Sequence, residues 1–205
     1  MKKGMELLTH LNPYAEAILK TLNNVLLKPE NPDYEYQVVF AGALAGYACH
    51  QVVKENKEPF IVVGTTDNKK FYLGDSINAY VLENTYSVLG MMKSAFRHLC
   101  PDKEVPDVYP IITKVVSSIG KDDYKIAGTY DPVELYKAVK DCWVHIFPIV
   151  VPMSCEDPTE WSVLFALTMQ KVLYLAIQNT NQAEKLYVDG IESAIYISKM
   201  DDDSI

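Results

Sequence analysis

The chain has 205 residues, 49% of them hydrophobic and 22% charged, which excludes a disordered or low-complexity protein. A chain of this length fits one domain and can bury roughly 70% of its unfolded surface. The net charge is −8 and Arg97 is the single arginine among 19 basic residues. Arginine is the preferred fork for phosphates and base edges, so this balance argues against nucleic acid; the acidity serves solubility first and would also favour a basic protein partner.

The opening segment, Met1 to His10, lacks the apolar run of a signal peptide because Glu6, Thr9 and His10 interrupt it. The longest apolar stretch, Trp161 to Ile177, is 17 residues long and carries Gln170 and Lys171 near its middle. A membrane span needs about 20 residues, so the stretch reads as a buried core helix and no membrane partner is expected. Cys49, Cys100, Cys142 and Cys155 lack the dense spacing of a disulfide scaffold. They read as reduced thiols in a cytoplasm, and the lysine and asparagine usage suggests a bacterial source.

A first helix is expected over residues 5–28, with Leu7, Leu8, Leu11, Ala15, Ile18, Leu22, Val25 and Leu26 at helical spacing. Pro29 and Pro32 mark a connection. A second helix from Pro32 or Asp33 to Asn56 carries the stripe Tyr36, Phe40, Leu44 and Tyr47. Beside it, Gly42 and Gly46 lie among alanines. Small residues four apart let another backbone come close, which offsets the roughly 1 kcal/mol that each helical glycine costs.

Residues 60–74 read as a β-hairpin inserted in an otherwise helical chain. A two-residue turn at Asp67-Asn68 pairs Val63 with Tyr72. That register puts Phe60, Val62, Phe71 and Leu73 on one face and Ile61, Val63 and Tyr72 on the other. Both faces are then apolar, and an isolated ribbon needs cover. The chain's own helices are expected on one face. The second face, or a strand edge, is where a partner is expected.

Gly74-Asp75 opens a further helix to about Leu99, with Asp75 as its cap and a break near Asn84-Thr85. A shorter helix follows over Asp107 to Ile119, then a polar loop with a short extended piece at Tyr124 to Ile126. Two later starts, Asp131-Pro-Val-Glu134 and Asp157-Pro-Thr-Glu160, place Asp at the cap, Pro in the first turn and Glu three residues on. The first of these helices is expected to stop near Phe147, where Pro148 and Pro152 bracket Ile149 to Val151. The second runs to about Asn179. A last helix spans about Asn181 to Lys199 and leaves residues 200–205 as a frayed acidic end.

No catalytic signature stands out. Cys142 and His145, three apart, share a helical face in this reading, but no CxxC or HExxH completes a metal set and none is assigned. No Gly-rich phosphate loop occurs and no cofactor is assigned. The best local candidate is the strand-to-helix turn at Tyr72 to Asn78, where Asp75, Ser76 and Asn78 flank free helix N–H groups. With Ile61, Val63 and Tyr72 these make the expected binding surface.

The fold class expected is mainly α: one helical-bundle-like domain, residues 1–205, of about seven helices with one inserted hairpin. The function expected is a non-enzymatic protein-binding module, an inhibitor or antitoxin-like protein that masks a basic partner. Tyrosine-rich composition, 14 Tyr against 6 Phe and 2 Trp, leans the same way. One alternative is a helical enzyme or small-ligand binder in which His50, His98 or His145 converge on a cleft between helices. Another is a homodimer in which hairpin edges of two copies pair.

Overall fold

Every residue from Gln37 to His50 is buried, so the second helix runs through the middle of the protein. The computed structural model describes residues 4–26, 32–154 and 157–205. The end of the first helix past residue 26, the Pro29 connection and Cys155 lie outside them. The elements are α1 Met5–Leu26, α2 Tyr34–Glu55, β1 Ile61–Gly64, β2 Lys70–Leu73, the single turn α3 Asp75–Asn78, α4 Val88–Leu99, α5 Tyr109–Ser118, α6 Pro132–Ser154, α7 Glu160–Asn179 and α8 Ala183–Ile197. The fold is mainly α, with one antiparallel hairpin among the described residues.

α2 packs chiefly against α8 and α7, and α7 also meets α1 and α4. The close α2–α8 approach is the work of small residues. A Cβ on Gly42 would collide with the Gly190 carbonyl oxygen, and one on Gly46 with that of Ala194. α7 is the one helix among the described residues that is long and apolar enough to cross a membrane, and 67% of its apolar window is buried inside the fold.

Capping follows the local chemistry in most places. Asp33 Oδ1 accepts the Tyr36 N–H at 2.9 Å and starts α2. Asp131 Oδ1 accepts the N–H groups of Val133 and Glu134 at 2.9 and 3.1 Å and starts α6. Between α3 and α4 lie a π-helical turn, Ala79–Glu83, and a break, after which Ser87 caps α4 by accepting the Gly90 N–H.

Three local expectations are corrected. α6 does not stop at Phe147 but continues through Pro148 and Pro152 to Ser154. Both prolines sit on its exposed face, four residues apart, where the carbonyls of Val144 and Pro148 that they leave unpaired can be solvated. Asp75 does not cap α3: the cap is Gly74, at φ 135°, and no side chain bonds there. The residues after α8 are not a frayed end. Asp202–Ser204 form a 3₁₀ turn closed by a reciprocal cap, in which the Asp201 N–H donates to Ser204 Oγ at 2.9 Å.

Candidate functional site

The hairpin register is Ile61 with Leu73, Val62 with Tyr72, Val63 with Phe71 and Gly64 with Lys70. The turn is three residues rather than two. Thr65 N–H donates to the Lys69 carbonyl at 2.9 Å, Asn68 N–H donates to the Thr65 carbonyl at 3.1 Å, and Asn68 takes the left-handed conformation at φ 67°. This is a type I turn followed by a left-handed residue, the usual three-residue solution. One extra loop residue shifts the register by one and reassigns the faces. Ile61, Val63, Phe71 and Leu73 share one face, and Val62 and Tyr72 share the other. The expected grouping of Tyr72 with Ile61 and Val63 is therefore overturned.

Cover divides the ribbon by strand rather than by face. On one face of β2, Phe71 is 3% exposed and meets the Tyr196 ring edge-on at 6.4 Å. On the other, the Tyr72 ring stands edge-on to His50 at 5.3 Å, and Phe60 stacks on the same imidazole at 5.0 Å. The outer edge of β2 is closed too. The outward Tyr72 N–H donates to the Lys199 carbonyl at 2.8 Å, and Ser204 Oγ donates to the Lys70 carbonyl. β1 is the opposite case: Ile61, Val62 and Val63 are 65%, 51% and 41% exposed. Alternation of the ladder points the N–H and C=O of Val62 and Gly64 away from β2, and no other described element pairs with them.

Three consecutive aspartates hold the covered strand. Asp201 Oδ2 accepts from Lys54 Nζ at 2.7 Å and lies 3.4 Å from His50 Nε2, while His50 Nδ1 donates to the Ser198 carbonyl at 3.0 Å. Burial opposes the Asp201 charge, but the bonds from His50, Lys54 and the Asp202 N–H outweigh it and hold the carboxyl far below its ordinary range. Asp202 Oδ1 accepts from Lys140 Nζ at 2.5 Å and from the Tyr136 hydroxyl at 3.1 Å. Asp203 accepts from Lys70 Nζ at 3.0 Å and from the Tyr72 hydroxyl. The segment thus ties α2, α6 and β2 together.

The same pairing recurs inside the fold. Glu192, 2% exposed, accepts from the Tyr124 hydroxyl at 2.5 Å, from Lys114 Nζ at 2.8 Å and from the Ala127 N–H at 3.2 Å. Glu58 accepts from the Tyr80 hydroxyl at 2.9 Å. Tyr72, Tyr80, Tyr124 and Tyr136 thus serve structural tyrosine–carboxylate bonds.

Of the residues expected to bind a partner, Ile61 and Val63 are exposed on β1, and Asp75 is exposed beyond β2. Tyr72 is turned inward onto His50 and Asp203, and Asn78 Oδ1 accepts from the buried Lys199 Nζ at 3.0 Å. Ser76 is half-buried. Val62 was missed because the shorter turn placed it on the covered face. The three histidines do not converge: His50 is buried under the hairpin, whereas His98 and His145 are exposed on α4 and α6. Cys142 is 3% exposed whereas His145, on the same side of α6, is exposed, so one faces the core and the other solvent.

No family model matches the chain, and it has no match among curated proteins or among solved structures.

Proposed function

We propose that the chain is a protein-binding module that takes an extended segment of a basic partner protein onto the free edge of β1. The observation that carries this reading is the contrast within one ribbon. β2 is closed on both faces and along its edge, while β1 leaves three β-branched apolar side chains and two outward backbone pairs open. Such an edge is a template for strand addition, in which main-chain bonds supply affinity and alternate side chains supply selectivity. The net charge of −8 favours a lysine- or arginine-bearing segment and opposes pairing between two copies. Non-enzymatic masking of such a partner is the role this surface suits.

The reading is tested with extended peptides of alternating Val and Lys, against matched Val and Glu peptides, by amide hydrogen exchange. The Lys series is expected to protect the Val62 and Gly64 amides, and Val62→Pro to abolish that protection. Proline there removes only an outward donor, so the bonds between β1 and β2 survive. Equal protection by both series, protection by neither, or protection that rises with protein concentration alone would overturn the proposal; the last result would indicate a homodimer.

A further inference from the structure

α7 is capped at Thr159 rather than at the expected Asp157, so Glu160 is its first residue and not the third, from which a capping glutamate reaches back to the cap N–H. The Asp157 N–H donates instead to the Met153 carbonyl at 3.1 Å, and Asp157 Oδ1 is engaged by the Thr159 N–H at 3.0 Å. The Glu160 side chain is 5% exposed and lines a cavity of about 580 Å3 between the start of α1, the π-helical turn with the break after it, and the start of α7. Glu160 Oε2 has no hydrogen-bond partner among the described residues. The nearest basic side chain among the described residues, His10, has its Nε2 4.0 Å away and outside hydrogen-bond reach.

A carboxylate with one buried oxygen left unbonded is costly, and a ligand that brings a donor and a positive charge to the group offsets part of that cost. The helix N-terminus offers free N–H groups but supplies no cation. The remaining wall fits one ligand chemistry. Tyr80 and Tyr86 offer aromatic surface, Leu7 and Val163 offer apolar surface, and Ser162 and Asn84 add polar atoms at the lining. Aromatic faces beside a carboxylate are the surroundings in which ammonium groups bind. The volume lies within the usual range for small-molecule sites, and a π-helical turn in a wall is a frequent mark of such sites.

We propose that this cavity binds a small organic ammonium compound, with the cationic head at Glu160 and an apolar body between Tyr80, Tyr86 and Val163. The site is independent of the β1 edge, and the two stand or fall separately.

The test uses the full chain with benzylammonium and benzyltrimethylammonium as probes and benzyl alcohol as the neutral comparator, read by calorimetry and by backbone amide shifts. Benzylammonium, which carries both donor and charge, is expected to bind, to move the amides of Leu7, Tyr86, Ser162 and Val163, and to do so at least about tenfold more tightly than benzyl alcohol, and benzyltrimethylammonium, with charge but no N–H, to bind less tightly than benzylammonium. Glu160→Gln, of nearly the same shape, is expected to weaken the probe by at least about tenfold. Val163→Trp, which fills the cavity and keeps the carboxylate, should block it and provides a second variant should the first not fold. Equal affinity for benzyl alcohol, unchanged affinity in Glu160→Gln, shifts confined to other surfaces, or no binding at about 10 mM probe overturns the proposal.

Discussion

The Tyr72 hydroxyl lies 2.8 and 2.9 Å from the two carboxylate oxygens of Asp203, so the covered strand of the hairpin is bonded to a residue 131 positions later in the chain. The ribbon is anchored through this and through the backbone bond from Tyr72 to Lys199. Tyr72→Phe removes one donor and is expected to cost about 1 kcal/mol by denaturant unfolding. Removing residues 201–205 also takes the Ser204 bond from the edge of β2, and amide exchange across 61–73 should rise far more than in α2.

Acid should loosen the same clasp. The folded Asp201 carboxyl sits well below its ordinary value of 3.8, so its contribution is complete above that pH and is lost as pH falls through the folded value. Stability measured from pH 6 downward should fall below about pH 4. Asp201→Asn should be less stable than the native chain at pH 6 by about 2 kcal/mol, and the gap should narrow in acid.

Lys199 acts at the opposite end of the pH range. Burial pushes its ammonium down to about 8 from 10.5, partly offset by the Cys49 thiol. Between those values the unfolded chain holds a proton that the folded chain does not, so stability should rise with pH, by up to about 3 kcal/mol from this group. Tyr47, Tyr72, Tyr80 and Tyr196, raised by burial to about 12 from 10.0, act in the other sense. Above pH 10 the unfolded tyrosines ionise first and stability should fall. Lys199→Met should remove the rise above pH 8 and keep the fall, as read by unfolding free energies across pH 7–11.

Gly46→Ala tests the α2–α8 contact. A methyl group there meets the Ala194 backbone, which cannot step aside as a side chain can. The expected loss is about 3 kcal/mol, although alanine favours helix on an exposed surface by roughly 1 kcal/mol. A neutral or stabilising result in thermal unfolding would contradict this packing.

Asn68 reports on the turn. At φ 67° it needs the left-handed conformation that glycine enters freely. Asn68→Gly should therefore be neutral or slightly stabilising, and Asn68→Val should cost about 1–2 kcal/mol. Thr66 holds the first central place of the type I turn, which suits proline, whereas a two-residue turn would need its N–H for the ladder, so Thr66→Pro is expected to be tolerated far better than Asn68→Pro.

The helices were legible because their evidence is local. Apolar spacing located α1, α2, α4, α5, α7 and α8, Asp33 and Asp131 cap as their side chains dictate, and the glycine positions of α2 anticipated a close neighbour. The hairpin was legible as two strands and a turn, but not in its register. Asp67-Asn68 suits a two-residue turn and also the last two places of a three-residue one, and one residue of slip exchanges the faces. α6 was cut short because a proline's cost depends on whether the carbonyl it orphans meets water, which is a property of the finished surface.

For the candidate sites the division is sharper. Composition and periodicity alone determined a mainly helical, acidic protein with one apolar ribbon, since those follow from side-chain type and spacing along the chain. Only the tertiary structure decided which strand stays open, because β2 is covered by residues from α2, α8 and the three aspartates, 100 and more positions apart in part. It also decided that Glu160, which sequence pattern places in a capping role, faces a cavity instead. Contacts between distant segments carry those outcomes, and nothing in local spacing encodes which distant segments meet.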